Sequence, residues 1–303
     1  MPSPYTGPII DPHHHLWDLE LGKHPWLASP VSGNDSNARL RRSYLIDDYL
    51  ADSKGQNVVA TVHVEAAWLD ADCVGETRWL DGLAHRSGIA RRYVAHVALD
   101  RPDAPELLAQ QAAFPDVVGI RDILSWHRDP ARSFRARRDV MDDPAWRRGL
   151  AQLRDHGLSF DLMIFAGQLA DASRLAAAFP DQQFVLNHSG SPVDRDAEAM
   201  AAWHRGIAEL AKAPNVAIKI SALTGYDPDW TLASIRPLIL HCIEAFGPER
   251  AMFASDFPVT SLHATYSETY AIYRAVAAGF TAAEQRALFH DTARRIYRIR
   301  GAA

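Results

Sequence analysis

The sequence predicts a (β/α)8 TIM barrel, an α/β fold in which parallel strands close into a cylinder jacketed by helices. Three observations carry that prediction. Short runs rich in β-branched residues alternate with longer amphipathic stretches along the whole 303-residue chain. The apolar runs are continuous rather than alternating, which marks strands buried on both faces. The strand-helix unit recurs eight times at a spacing of roughly thirty residues, a period that suits one barrel better than an open sheet. The rival, a doubly wound sheet, lacks support because no Gly-x-Gly-x-x-Gly follows any strand run.

Taken in order, the strands fall at residues 8–15, 57–66, 92–99, 117–124, 159–165, 183–188, 216–223 and 251–256. Ile9-Ile10, Val58-Val59, Tyr93-Val94, Val117-Val118, Phe160, Phe184-Val185-Leu186, Ile218 and Met252-Phe253 supply their apolar cores. Helices are expected at 45–55, 72–86, 104–114, 144–156, 168–179, 197–213 and 230–246, where apolar residues recur at three and four, as Leu150 and Leu153 do before Gly157 stops the helix. Two final helices cover 266–280 and 282–299, with Thr281 as the cap between them. The connections 16–43 and 125–143, after the first and fourth strands, exceed ordinary loop length and are read as lids over the face where barrel enzymes carry their chemistry. A single domain is expected to span 1–303.

Bulk composition narrows the function. With 48% hydrophobic and 23% charged residues the chain is a folded protein rather than a disordered one. A net charge of -5 offers no general basic field, so neither nucleic acid nor a membrane surface is expected as a partner; a small molecule is. Cys73 and Cys242 lie in helical segments without Cys-x-x-Cys spacing and read as reduced packing residues. No basic leader precedes the first strand and no stretch of about 18 apolar residues occurs, which predicts a cytoplasmic enzyme, monomer or homodimer.

The chemistry starts in Ile9-Ile10-Asp11-Pro12-His13-His14-His15-Leu16-Trp17-Asp18. Residues two apart on a strand share a side, so His13 and His15 can meet on one ion or one water while His14 faces away. Other polar residues gather at strand ends: His63 and Glu65, Arg121 and Asp122, Asn187 and His188, Lys219 and Ser221, Ser255 and Asp256. Each has an ordinary structural reading, but half-buried charges are costly unless paired or used, so their joint placement argues for a site. Such a set can add water to a carbonyl. Asp256 is the candidate base; His13, His15 and His188 could hold a divalent ion or bind substrate; Lys219 and Arg121 could stabilise an oxyanion. A metal-assisted and a metal-free mechanism both remain open on the residues alone.

The segments Ile-Asp-Pro-His-His-His-Leu-Trp-Asp from Ile10, Val-Gly-Ile-Arg ending at Arg121, Asn-His-Ser-Gly-Ser-Pro from Asn187, Ile-Lys-Ile-Ser-Ala-Leu from Ile218 and Ala-Ser-Asp-Phe-Pro-Val from Ala254 resemble the amidohydrolase-related TIM-barrel hydrolases, in order and over nearly the whole chain. Within them the chain is most similar to the sugar-lactonase branch, of fuconolactonase and rhamnonolactonase type. The resemblance implies a hydrolytic centre of His13, His15, His188 and Asp256. It also implies at most one divalent metal ion, zinc first, because the fifth strand offers no metal histidine or lysine. Some members of the family bind a metal, while the related pyrone-dicarboxylate lactonase works without one.

Two features stand apart from that pattern. His63 with Glu65 is read either as a substrate-selective pair or as a brace for the first-strand histidines. The loop carrying Trp126, His127, Arg128, Arg132, Phe134, Arg135, Arg137 and Arg138 reads either as an anion-capturing lid, with Trp126 and Arg128 on the substrate, or as a solvated or subunit-facing loop. The predicted activity is opening of a sugar-acid lactone or muconolactone-like catabolite by water. The rivals are a metal-dependent non-oxidative decarboxylase on the same barrel and a binding protein that has lost catalysis.

Overall fold

The computed structural model describes residues 4–28, 37–83 and 88–301. Eight strands, β1 (Ile9–His14), β2 (Val58–Val64), β3 (Arg92–His96), β4 (Val117–Arg121), β5 (Ser159–Leu162), β6 (Phe184–Leu186), β7 (Val216–Ile220) and β8 (Ala251–Phe253), pair in sequential order. Every pair from β1·β2 to β7·β8 is parallel. Short right-handed crossovers through helices produce this order. A parallel bridge between His14 and Phe257 joins the two ends of the sheet. It is reinforced by His15 N donating to Phe257 O at 2.7 Å and Asp256 N donating to His13 O at 2.8 Å. The predicted barrel is therefore what the chain forms.

After α1 (Pro25–Ala28) within the first connection, the helices that follow successive strands are α2 (Ile46–Asp52), α3 (Cys73–Asp81), α4 (Ala104–Ala112), α5 (Pro144–Gln152), α6 (Leu169–Ala178), α7 (Ala197–Leu210), α8 (Leu232–Phe246) and α9 (Tyr266–Ala277). Side chains cap several of them: Asp143 accepts from Ala145 N at 2.7 Å before α5, and Asp196 accepts from Glu198 N and Ala199 N before α7. Thr281 caps α10 (Ala282–Arg286) as expected, its Oγ1 accepting from Glu284 N while the Glu284 carboxylate accepts from Thr281 N. The expected helix 282–299 is interrupted by a π-helical turn at Ala287–Asp291 before α11 (Thr292–Ile296). The two long connections are not bare loops. The first holds short 3-10 turns at Leu19–Leu21 and Ala38–Leu40 besides α1, and the second holds Pro130–Arg132 and Asp139–Asp142. Residues 29–36 of the first and 84–87 at the end of the expected third helix lie outside the described residues.

All eight strands stop short of their predicted carboxyl ends, β4 at Arg121, β6 at Leu186 and β8 at Phe253 among them. Glu65, Asp122, His188, Ser221 and Asp256 sit just past the ladder, Asp122 turned toward Trp146 of α5. Apolar packing falls in two clusters. The larger fills the space between strands and helices. The smaller joins Ile10, Val62, Val94, Val118, Val185 and Met252 of the strands to Ile296, Tyr297 and Ile299 of the carboxyl-terminal segment. That segment lies against the opposite end of the barrel from the mouth, since Arg298 donates to Gly157 O before β5 and Arg92 at the start of β3 donates to Arg298 O. Cys73 and Cys242 are buried and free, as expected. Among the described residues no helix is long and apolar enough to cross a membrane.

Candidate active site

Four side chains predicted to meet do meet. Asp256 Oδ1 lies 3.5 Å from His13 Nε2, 3.4 Å from His15 Nε2 and 3.9 Å from His188 Nε2. His14 turns away, its Nε2 on Thr61 Oγ1 at 2.8 Å. Asp256 and His188 both occupy the left-handed backbone region, with φ of 56° and 51°. Asp and His tolerate it better than most residues, and such strain persists where the surroundings enforce it, as at a mouth that must aim these groups inward. Burial and neighbouring cations hold His13 well below the usual histidine range, and burial lowers His188 to about 4, so both are neutral at pH 7. Asp256 is buried, which raises its affinity for a proton, but His188, His15 and Arg121 outweigh burial and keep it ionised below the usual carboxylate range.

The donor set fits one divalent ion. Ligand atoms of His13, His188 and Asp256 all lie within 4.8 Å of one another. His15 Nδ1 is 2.7 Å from Val64 O, and because a carbonyl only accepts, the proton sits on Nδ1. Nε2 then faces Asp256 Oδ1 at 3.4 Å without a hydrogen of its own, and two acceptors face each other. Only a proton or a metal ion between them makes that arrangement favourable. His188 Nδ1 is likewise engaged by Ser221 Oγ at 2.9 Å, the outer-layer support that ligating histidines usually have.

Beneath these groups lie two buried ion pairs. Arg121 donates through Nε to Glu65 Oε1 and through Nη2 to Glu65 O, both at 2.6 Å, while Nη1 reaches 3.4 Å from His13 Nε2. Lys219 Nζ is 2.6 Å from Asp161 Oδ2 and 3.5 Å from His13 Nδ1, and it stands 4.9 Å from the centroid of the Tyr297 ring. Asp161 also accepts from Asn187 Nδ2 at 2.9 Å and from Tyr297 OH at 3.0 and 3.1 Å. Lys219 was expected to face an oxyanion; instead it is fully buried and committed to Asp161, because an ammonium in a dry interior needs an anion close by. Arg121 keeps one edge toward the centre.

Strand two departs from expectation as well. Glu65 pairs with Arg121 rather than with His63, whose Nε2 donates to Leu16 O at 3.3 Å and lies 3.9 Å from Glu76 Oε1. His63 therefore braces the start of the first connection. Glu76, unremarked in the sequence, is pushed up to about 8 by burial and by Glu65.

The arginine-rich loop is not brought to the centre. Arg135 pairs with the buried Asp122, Arg137 with Asp143, Arg132 with Asp194 at 2.9 Å and Arg138 with Asp171 at 3.3 Å. Arg128 has no hydrogen bond or ion pair among the described residues. With Trp126 it lines a cavity of about 470 Å³ shared with Arg138, Phe165, Asp194 and Glu198. None of His13, His15, His188 and Asp256 lines that cavity. Trp126 and Arg128, expected on the substrate, thus stand apart from the hydrolytic residues, in surroundings as acidic as they are basic. Asp161 and Tyr297 were missed by sequence reasoning, although an acid inside the apolar run Ser159-Phe160-Asp161-Leu162 is itself a signal that a buried cation must answer it.

The barrel and its histidine-aspartate mouth define a hydrolytic enzyme. The chain belongs to the amidohydrolase family, whose profile matches residues 10–299. It is 32% identical to the L-fucono-1,5-lactonase of Burkholderia multivorans over 96% of each chain. It is 40% identical to an uncharacterised protein of Sinorhizobium fredii, covering 96% of this chain and 98% of that one. A crystal structure of an amidohydrolase from Burkholderia multivorans with bound zinc matches with a TM-score of 0.82 at 30% identity, covering 97% of this chain and 100% of that one.

Proposed function

We propose that the protein opens the ring of a lactone of a sugar acid by attack of water on its carbonyl. The observation that carries this reading is that Asp256 makes its contacts with three imidazoles, at 3.4, 3.5 and 3.9 Å, whereas Glu65 is held by Arg121 and Asp161 by Lys219. An ionised carboxylate ringed by imidazoles is free to take a proton from water. The hydroxide adds to the carbonyl carbon, and the free edge of Arg121 beside His13 faces the charge that develops on oxygen. Collapse breaks the ring C–O bond, and the proton held by Asp256 passes to the departing alkoxide. The hydroxy acid formed then loses one proton to solvent at neutral pH. A single divalent ion, zinc first, would be held by His13, His15, His188 and Asp256, and when bound it would polarise the carbonyl and acidify water. The lactonase name of the Burkholderia multivorans relative supports the substrate class.

Proton release from a panel of aldonolactones, uronolactones, muconolactones and pyrone carboxylates, followed with an indicator in weak buffer, tests this. Release by the protein and its loss in Asp256→Asn is the expected result. No release from any lactone, with carbon dioxide evolved from an aromatic or pyrone carboxylate instead, would replace it with the decarboxylase.

A further inference from the structure

Asp11 stands two residues before His13 on β1, and its side chain is fully buried. Its carboxylate receives only donors. Oδ2 accepts from Ser255 Oγ at 2.5 Å and from Tyr49 OH of α2 at 2.7 Å, with Tyr266 OH of α9 at 3.2 Å; Oδ1 accepts from Ser255 N at 2.9 Å and from His13 N at 3.3 Å. Ser255 is the neighbour of Asp256, and three successive backbone N–H groups around that acid are each received: Ser255 N by Asp11, Asp256 N by His13 O at 2.8 Å, and Phe257 N by Ser255 Oγ at 3.1 Å. The hydroxyl that receives Phe257 N gives its own proton to Asp11, so two of the three depend on one carboxylate. Between them Asp256 holds a φ of 56°, a conformation that the surroundings must impose.

Resting on the hydrolysis proposed above, we propose that Asp11 is a positioning residue: acting through Ser255, it sets where the Asp256 carboxylate stands relative to His13 and His15. These three groups of the centre come from two segments, the end of β1 and the turn after β8, and Asp11 bonds to both. A carboxylate suits the task because it is acceptor-only and each group around Oδ1 and Oδ2 brings a hydrogen; an amide of the same shape would turn an N–H toward one of them. Tyr49 holds the same oxygen from α2 and otherwise meets Tyr266 OH at 2.9 Å, so it supports Asp11 without bonding to the turn. Small displacements matter here, since a reacting group misplaced by about 1 Å can cost about a hundredfold in rate.

Kinetics and crystal structures of Asp11→Asn, Ser255→Ala and Tyr49→Phe in the full-length protein test this. Each removes hydrogen bonding at Asp11 and is expected to lower the urea midpoint, but only the first two loosen Ser255. Those two should lower kcat by about tenfold or more. Their KM should stay within about twofold, because Asp11 and Ser255 are fully buried and do not reach substrate. Tyr49→Phe should keep kcat within about twofold. In the structures of the first two, Asp256 Oδ1 should be displaced from His15 Nε2 by about 0.5 Å or more, and in Tyr49→Phe it should not move. Should Asp11→Asn fail to fold, Ser255→Ala decides, since it deletes one hydroxyl and buries nothing new. A retained kcat in Ser255→Ala, an equal loss in Tyr49→Phe, or an unmoved Asp256 overturns the proposal. If the unaltered protein opens no lactone, the hydrolase reading falls on that result alone, and the displacement of Asp256 in Ser255→Ala still decides the role of Asp11.

Discussion

The mouth at the ends of β1, β6 and β8 and the loop after β4 are both dense in charged and imidazole groups, yet they put them to opposite use. In the loop, Arg132, Arg135, Arg137 and Arg138 are each answered by an aspartate, and the result is a tied-down segment. In the mouth, Arg121 and Lys219 are also answered, but the answering acids are Glu65 and Asp161, and Asp256 is left over. Asp256 faces imidazoles instead of a fixed cation, which is the setting its proposed role as base requires.

The largest effect that would break this contrast lies at the unmatched acid. Asp256→Asn should lower kcat by about a thousandfold or more with a KM change of a few fold, the pattern of a lost general base; a retained kcat would remove Asp256 from the chemistry. Next come the matched charges beneath it. Lys219→Met leaves Asp161 buried without its cation and should cost about 3–5 kcal/mol in urea unfolding, most of it recovered when Asp161→Leu is added. Failure of the second change to rescue would mean the pair does more than neutralise itself.

Titration sharpens the contrast at intermediate size. Burial pushes His14 down to about 3 and His24 to about 4, so the unfolded chain binds their protons first and stability falls as pH drops below about 6.5. His96 runs the other way. Burial opposes its charge, but its hydrogen bond to Asp70 and the nearby Glu65 and Asp122 raise it to about 9. Its contribution is fully present below about 6.5 and is lost as pH rises through about 9, on the order of 3 kcal/mol in all. A melting temperature whose fall on the alkaline side is shallower in His96→Gln is the expected result; an unaltered fall would refute the assignment. The smallest effect belongs to the loop: Arg128→Ala should leave stability within about 0.5 kcal/mol and kcat/KM within about twofold. A KM raised tenfold by Arg128→Glu would restore the loop as an anion-binding lid.

The barrel was legible because its signal is a period repeated along the chain, which no local exception disturbs. His13, His15, His188 and Asp256 were legible because each lies a few residues beyond an apolar run whose direction is known. Pairings were not. Lys219 and Asp161 are separated by 58 positions, and Tyr297 and Asp161 by 136, so nothing near Lys219 says whether its ammonium is free. The arginine loop misleads for the same reason, since Asp122, Asp171 and Asp194 lie outside it. Strand ends were overextended because the side chains that stop the ladder are read as part of it until their inward turn is seen.

Tyr297 gives the molecule an order of completion. Along the chain His13 and His15 come first and Asp256 late, and the phenol that donates to Asp161 follows all three. Tyr297 donates to Asp161 and lies over the Lys219 ammonium, so the carboxyl-terminal segment closes the end of the barrel beneath the buried ion pair. A chain cut before Tyr297 would keep His13, His15, His188 and Asp256 and lose the phenol that shields the ion pair under them, so the integrity of the far carboxyl-terminal segment bears on the charge balance of the mouth.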